Sequence, residues 1–309
     1  MAIEMNRSCE TEQYQHENTL GEATKQRYIG KYAIVKMLGQ GGEGCVYLAR
    51  DESLGRPVAI KRVWGDHEAA FLKELQHPML PVVYELLRDN GCYLVMEYIE
   101  GISLHNYIRK NGMAKEEQAK LWAEQILAIL QYLHTRKPPV IYRDLKPENL
   151  IVCPDGRLRL VDFGAACCRN YSGDGSRRMA VSAGYAAPEQ FPRAGGGAYA
   201  DERSDLFAFG RVLYYVLTGA DPAYPPYARL PVTGYNPALW DGWERVLRKC
   251  MADHPAKRYQ VAEEIREDLC VRGRKGTKGT GGAAKRGLIR KIEKRVLLTE
   301  KKAAGLIAL

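Results

Sequence analysis

The stretch Tyr142-Arg143-Asp144-Leu145-Lys146-Pro147-Glu148-Asn149 decides how the rest of the chain is read. From Asp144 to Asn149 it carries a carboxylate, an amine (Lys146) and an amide. Apolar residues flank it, Pro139-Val140-Ile141 before and Leu150-Ile151-Val152 after, so a polar loop is pinned between core elements. Phosphoryl transfer needs groups of these kinds. A carboxylate orients an attacking hydroxyl and accepts its proton, a cation offsets charge on the moving group, and a neutral oxygen donor helps to hold Mg²⁺.

Downstream, apolar runs at 150–152 and 158–161 surround Pro154-Asp155-Gly156 and read as a small hairpin. It delivers Val161-Asp162-Phe163-Gly164, with Asp162 thirteen residues after Asn149, which suits a return to the same place. Residues 165–186 are small, polar and basic, and Ala187-Pro188-Glu189 follows. Asp205-Leu206-Phe207-Ala208-Phe209-Gly210 opens an apolar helix that continues through Leu213, Val216 and Leu217. His254-Pro255-Ala256-Lys257-Arg258-Tyr259 closes the globular pattern.

Upstream, alternating Tyr32, Ile34 and Leu38 mark a strand that enters Gly39-Gln40-Gly41-Gly42-Glu43-Gly44-Cys45-Val46. Because a second strand follows instead of a helix, the context argues against a dinucleotide fold. Two readings remain, a glycine-rich hairpin over a triphosphate and a plain flexible hairpin. Val58-Ala59-Ile60-Lys61 ends another strand, with the lysine amine directed into a site or into solvent. The segment 66–78 reads as a helix capped by Asp66, with Phe71, Leu72 and Leu75 as its apolar stripe, ending before His77-Pro78. Two apolar runs, 80–87 and 92–99, flank Asn90-Gly91, a hairpin signal. Ser103 opens a short helix toward Arg109. Residues 115–134 form a long helix with Leu121, Trp122, Ile126, Ile129, Leu130 and Leu133 buried and His134 as a packed terminus.

The ordered set of motifs, over about residues 28–270, resembles the eukaryotic-like Ser/Thr protein kinase family, in its bacterial type. The resemblance implies an α+β, bilobal protein-kinase fold. A β-rich N-lobe of five strands and one helix covers about 28–97, and a larger, mainly helical C-lobe covers about 101–270. Residues 1–27 are a polar extension and 271–309 a basic linker with an amphipathic segment.

The same resemblance implies the site. Gly39, Gln40, Gly41, Gly42, Glu43 and Gly44 cover ATP, and Leu38, Val46, Ala59, Met96 and Ile151 line its pocket. Backbone groups of Glu97 and Ile99 meet the adenine edge. Lys61 holds phosphates and pairs with Glu68, with Glu74 as the competing partner. Asp144 is the catalytic carboxylate and Lys146 its accompanying cation, while Asn149 and Asp162 hold Mg²⁺, for which Mn²⁺ is a substitute. Tyr142 stands where histidine is more usual, and either ring packs on Phe163. Ser182 contacts Asp144 and Lys146, as in Ser/Thr-specific members. Ser172 and Ser176 are candidate phosphosites, read by Arg143 through charge-assisted bonds or else incidental serines of a loop. Asp205 holds the catalytic-loop backbone, and Glu189 pairs with Arg258.

Lys61 and Glu68 are only seven residues apart. This is about half or less of the usual family separation, and it implies a short, tightly tethered helix. That link is the one feature favouring an alternative from another class, a pseudokinase acting as a nucleotide-binding scaffold. The Ala187-Pro188-Glu189 segment and Arg258 argue against a third reading, a small-molecule phosphotransferase. Implied partners are therefore proteins with Ser or Thr acceptors.

Composition sets the remaining bounds. The chain has 309 residues, 46% hydrophobic and 27% charged, enough for one large core or two lobes. No apolar run reaches the roughly 18 residues of a membrane span, and Met1 to Lys31 lacks a signal-type apolar core, so a cytoplasmic location is expected. Eight scattered cysteines without a CxxC pair point to reduced thiols, with adjacent Cys167-Cys168 as a candidate inhibitory redox pair. Of the net +9 charge, residues 271–309 supply a surplus of +10, from 12 Lys/Arg against 2 Glu, so the globular part is near neutral. In that tail Leu288, Ile289, Ile292, Val296 and Leu297 share a helical face against Arg290, Lys291, Lys294 and Arg295. Two readings stand, an anionic membrane surface at the inner face of the membrane or docking on the globular body. No specific nucleic acid partner is implied, and oligomeric state is not readable.

Overall fold

The structure, a computed structural model, describes residues 27–41, 44–63, 67–168, 182–191, 200–225, 231–237 and 239–270. All but Arg27 of the expected extension at 1–27, together with Gly42, Glu43, Asp66, Ser172, Ser176 and the tail at 271–309, lies outside the described residues. Contacts divide the chain into two compact units, residues 1–100 and 101–309.

The first unit is built on β1 (Tyr28–Ile29), β2 (Tyr32–Gly41), β3 (Gly44–Asp51), β4 (Arg56–Val63), β5 (Val83–Arg88) and β6 (Cys92–Glu97). These form one antiparallel sheet in the order β1-β2-β3-β4-β6-β5. The sheet has one strand more than the five expected, because Tyr28 and Ile29 pair back on Ala33 and Tyr32. Side chains alternate across it. Tyr32, Ala49, Val58, Ile60 and Val95 form the core, with Tyr93 and Leu87 packed against them. The β5–β6 hairpin turns at Asn90, whose φ of 46° is the positive value that Asn-Gly favours. The helix α1 (His67–Glu74) packs on β5 and buries Leu72.

The second unit is mainly helical. A short β7 (Ile102–Ser103) leads into α2 (Leu104–Asn111), where Ser103 Oγ accepts the Asn106 N–H at 3.2 Å as the N-cap. The long α3 (Glu116–His134) buries Trp122, Ala123, Ile126, Leu127, Ile129, Leu130 and Leu133. Leu121 departs from the expected stripe. It is 52% exposed, because one residue is a 100° rotation and Trp122 takes the core direction. Then come β8 (Val140–Ile141), β9 (Leu150–Val152), β10 (Leu158–Leu160) and β11 (Cys167–Cys168). The β9 strand pairs with β10 and β7, and β8 with β11. Trp122 Nε1 donates to the Gly156 carbonyl at 3.0 Å, fixing the β9–β10 turn to α3. The central α4 (Glu202–Thr218) is buried along most of its length and ends at Gly219, whose φ of 70° makes it the left-handed C-terminal cap. Two shorter helices, α5 (Gly242–Cys250) and α6 (Ala262–Cys270), complete the described part.

Arg258 ties these elements together. Its two Nη atoms donate to both Glu189 oxygens at 2.6 and 2.8 Å, and its remaining donors reach the carbonyls of Ala252, Asp253 and Arg203. Ser204 Oγ adds a bond to Glu189 at 2.7 Å. Burial alone would raise the Glu189 carboxyl, but the bonds from Arg258 and Ser204 outweigh it and hold the group below its ordinary value. A carboxyl depressed on folding stabilises above the unfolded-state pKa, and that contribution is lost as pH falls through the folded value. Replacing Arg258 by Ala leaves Glu189 uncompensated and is expected to cost about 3–5 kcal/mol in thermal or urea unfolding near neutral pH. The gap between the two proteins should narrow as the solution is acidified through that range. A gap that is constant with pH would contradict this account.

Candidate active site

Strand register places the first unit's share of the site. Val46 lies opposite Lys61, and Lys61 opposite Leu94, while Leu48 lies opposite Ala59, and Ala59 opposite Met96. Directly opposed residues share a face, so Val46, Ala59, Lys61 and Met96 stand together on the side away from the Tyr32–Ile60–Val95 core. Gly39 pairs with Val46 and joins them. The register shift between Met37 and Gly39 leaves Leu38 as an extra residue in β2, re-aimed as bulges do. Gly44 has φ +134°, and a Cβ there would lie 2.5 Å from the Arg62 carbonyl oxygen, so only glycine fits where the hairpin returns. At the other end of the sheet the Glu97 N–H is spent on the Val82 carbonyl at 2.8 Å, and Ile99 is half-buried just beyond.

Lys61 Nζ meets Glu68 Oε2 at 2.7 Å, with both side chains buried. Glu74, the competing partner, is exposed. The short connection therefore does not prevent the ion pair, and the feature that favoured a catalytically silent scaffold loses its force.

The second unit gathers the loop residues. Asp144 Oδ1 accepts from Ser182 Oγ at 2.5 Å, and its Oδ2 accepts from Lys146 Nζ at 2.8 Å and Asn149 Nδ2 at 2.9 Å. Lys146 Nζ also donates to Ser182 Oγ at 2.9 Å, and Asn149 Nδ2 to the Asp144 carbonyl at 2.9 Å. Ser182 is brought there by a turn at Gly184, whose φ of +82° and approach to Ala223 exclude a side chain. The Val161 N–H binds the Asn149 carbonyl at 2.9 Å, which sets Asp162 beside Asn149. Asp162 itself has φ 67°, a left-handed conformation that a non-glycine residue keeps only under constraint. Tyr142 packs edge-on against Phe163, ring centres 5.0 Å apart. Ile151 is half-buried on β9, between partners Arg159 and Ser103.

Asp205 underlies this loop. It is fully buried and accepts the N–H of Tyr142 at 2.9 Å and of Arg143 at 2.8 Å. His134 Nε2 lies 2.8 Å from Asp205 Oδ2, so this packed histidine also anchors the loop's holder. Sequence reading missed that role, because the two residues are far apart in the chain and nothing local links them. It also missed the Tyr142 hydroxyl, which donates to the Val161 carbonyl at 2.6 Å, and Gln190, which is buried beside the loop.

Among the described residues no group of three or more His, Cys, Asp or Glu side chains could hold a metal. The donor set that does fit a divalent cation is smaller. Asn149 commits its amide nitrogen to Asp144, which leaves its oxygen, and Asp162 is adjacent with a carboxylate. Hard oxygen donors few in number suit a divalent cation that keeps several waters.

The redox expectation loses support at Cys167, while its neighbour Cys168 is half-buried. Cys167 is buried in the β8–β11 pair, and burial pushes its thiol up to about 11, far from the thiolate that oxidants attack.

Residues 32–229 match the protein kinase domain family. The chain is 31% identical to the serine/threonine-protein kinase PrkC of Bacillus subtilis over 273 residues, 79% of this chain and 41% of PrkC. It is 31% identical to the serine/threonine-protein kinase PknB of Mycolicibacterium smegmatis over 281 residues, 80% of this chain and 43% of that one. For PknB of Mycobacterium tuberculosis the identity is 30% over 277 residues, with the same coverages. The chain thus spans about two fifths of the length of the curated relatives it matches. With the two-unit α+β architecture and the Asp144 loop, the match over residues 32–229 means that this chain belongs to the eukaryotic-like Ser/Thr protein kinase family, in its bacterial type.

Proposed function

We propose that the chain is an ATP-dependent protein kinase that transfers the γ-phosphoryl group to Ser and Thr hydroxyls of protein substrates, itself included. The observation that carries this reading is the cluster around Asp144, where a carboxylate, an ammonium, an amide and a serine hydroxyl meet within 2.5–2.9 Å. Ser182 occupies Asp144 Oδ1 as a substrate hydroxyl would, and Asp144 orients that hydroxyl and takes its proton. Lys146, already bound to Asp144, supplies the positive charge that faces the transferring group.

Lys61 binds phosphate oxygens, and Glu68 keeps its amine in place. The backbone from Gly39 to Gly44, including Gln40, Gly41, Gly42 and Glu43, covers the phosphates. Leu38, Val46, Ala59 and Met96 offer the base an apolar face, and Glu97 and Ile99 offer it backbone polar groups. Because the Glu97 N–H is already used, its contribution is through the carbonyl. Asn149 and Asp162 hold the cation, Mg²⁺ with Mn²⁺ as a substitute, which when bound neutralises phosphate charge. Phe163 sets the turn after Asp162 by packing on Tyr142.

The Glu189–Arg258 pair supports a protein as substrate, because it braces the segment after Ser182. Arg143 receives a phosphate placed on the activation segment at Ser172 or Ser176. Residues 28–270 act as the kinase domain in the cytoplasm, and the basic stretch 271–309 acts at an anionic membrane surface. Among the described residues no helix is long and apolar enough to cross a membrane.

Incubation with Mg-ATP, followed by intact mass and peptide mapping, should place phosphate on Ser or Thr of the wild type. Asp144→Asn should lower the rate by about 10²–10³. Unphosphorylated wild type that still binds ATP would overturn the proposal. Peroxide treatment is expected to leave activity unchanged, since Cys167 stays a buried thiol, and an inhibition reversed by thiol reductant would contradict that. Sedimentation with phosphatidylserine-containing vesicles should fall when residues 287–309 are removed, and equal recovery with and without them would end the membrane role.

A further inference from the structure

Gln190 lies one residue past the Ala187-Pro188-Glu189 motif and is buried. Its Nε2 donates to the Arg143 carbonyl at 2.9 Å, and its Oε1 accepts the Ala187 N–H at 3.0 Å. We propose that Gln190 is a positioning residue for Asp144, tying the segment that carries Ser182 to the backbone that enters the catalytic carboxylate.

Arg143 is held left-handed at φ 70°, a conformation that non-glycine residues leave unless both ends of the unit are fixed. Asp205 Oδ1 fixes its N–H at 2.8 Å, and Gln190 fixes its carbonyl. That carbonyl belongs to the planar peptide joining Arg143 to Asp144, so its direction sets where the Asp144 Cα and side chain begin.

The other hand of Gln190 is equally constrained. Its own N–H donates to the Ala187 carbonyl at 2.9 Å while its Oε1 takes the Ala187 N–H, so a closed turn locks the amide. The substrate-side segment therefore touches the catalytic loop twice. Ser182 reaches the side chains of Asp144 and Lys146, and Gln190 reaches the backbone just before Asp144.

One planar head with a donor and an acceptor is needed, which an amide of this length supplies. An ionised carboxylate would keep the Ala187 bond but set an acceptor against the Arg143 carbonyl. A methionine would remove both of these bonds, the donor to the Arg143 carbonyl and the acceptor for the Ala187 N–H.

This inference rests on the kinase reading, and the experiment separates the two. Gln190→Glu and Gln190→Met would be made in the full chain and assayed on a Ser/Thr peptide, with amide hydrogen exchange followed at Asp144 and Ala187. Both variants should lose about 10²-fold in kcat, the size expected for a displaced catalytic group, with KM for ATP unchanged. As pH is lowered from about 8 to about 5.5, the Gln190→Glu rate relative to wild type should recover, because a protonated carboxyl carries both an O–H and a carbonyl. Arg143, Asp144, Asp205, Glu189 and Arg258 are common to both proteins, so the ratio isolates the substituted group. Gln190→Met should show no such recovery, and its Ala187 amide should exchange faster.

Wild-type kcat in either folded variant, or a pH-independent loss shared by both with Ala187 exchange unchanged, would overturn the proposal. If the wild type does not phosphorylate at all, the kinase reading fails. Exchange at Ala187 then still decides the bridge: protection lost in Gln190→Met upholds it, and protection unchanged refutes it. Should neither variant fold, a wild-type Ala187 amide that exchanges at the open-chain rate would overturn the bridge, and a protected one would support it.

Discussion

The Asp205 carboxylate is sealed from solvent and occupied on both oxygens, by the N–H groups of Tyr142 and Arg143 and by the His134 ring. A buried carboxyl is costly unless hydrogen-bonded, and these three partners meet that cost. The dependence also runs the other way. The two backbone N–H groups lie outside any helix or sheet ladder, and without Asp205 they would be buried and unpaired. The α4 helix, buried along most of its length, carries Asp205 and so sets the path of the irregular loop at 142–149.

From that anchor the loop follows in sequence. Arg143 takes a left-handed turn, Asp144 emerges next, and Lys146 and Asn149 fold back onto it. Asp162, also left-handed, is held by the bond from the Val161 N–H to Asn149 and by the Tyr142 hydroxyl on the Val161 carbonyl. Among the described residues of this unit, the two non-glycine residues with positive φ therefore lie on either side of Asn149, and each is restrained by hydrogen bonds to its peptide unit or its neighbour's. The tyrosine in place of a histidine keeps the ring contact to Phe163 and adds a hydroxyl bond of its own.

Charge is handled differently in the two units. Lys61 and Glu68 are both removed from water and hold each other, an arrangement in which loss of one partner is severe. Asp144 and Lys146 are partly exposed, so their pairing is made within reach of solvent. Glu189 and Arg258 are a third case, a two-bond pair that braces the segment leading from Ser182 and has no group free for chemistry.

Much of this was legible in the chain itself. The loop 142–149, the Asp162 turn and the Ala187-Pro188-Glu189 motif identified the family and the fold, and named the loop residues that the structure gathers around Asp144, because backbone turns and hydrogen-bonding groups demand particular residue types at short spacings. Periodicity placed α3 and the sheet but misjudged Leu121, since a run of apolar residues does not say which 100° sector faces inward. Whether Glu68 reaches Lys61 across seven residues, and that His134 and Gln190 serve the loop, only tertiary structure decided. Each depends on a hydrogen bond between segments distant in sequence or on a side-chain direction fixed by packing, and neither leaves a local mark in the order of residues.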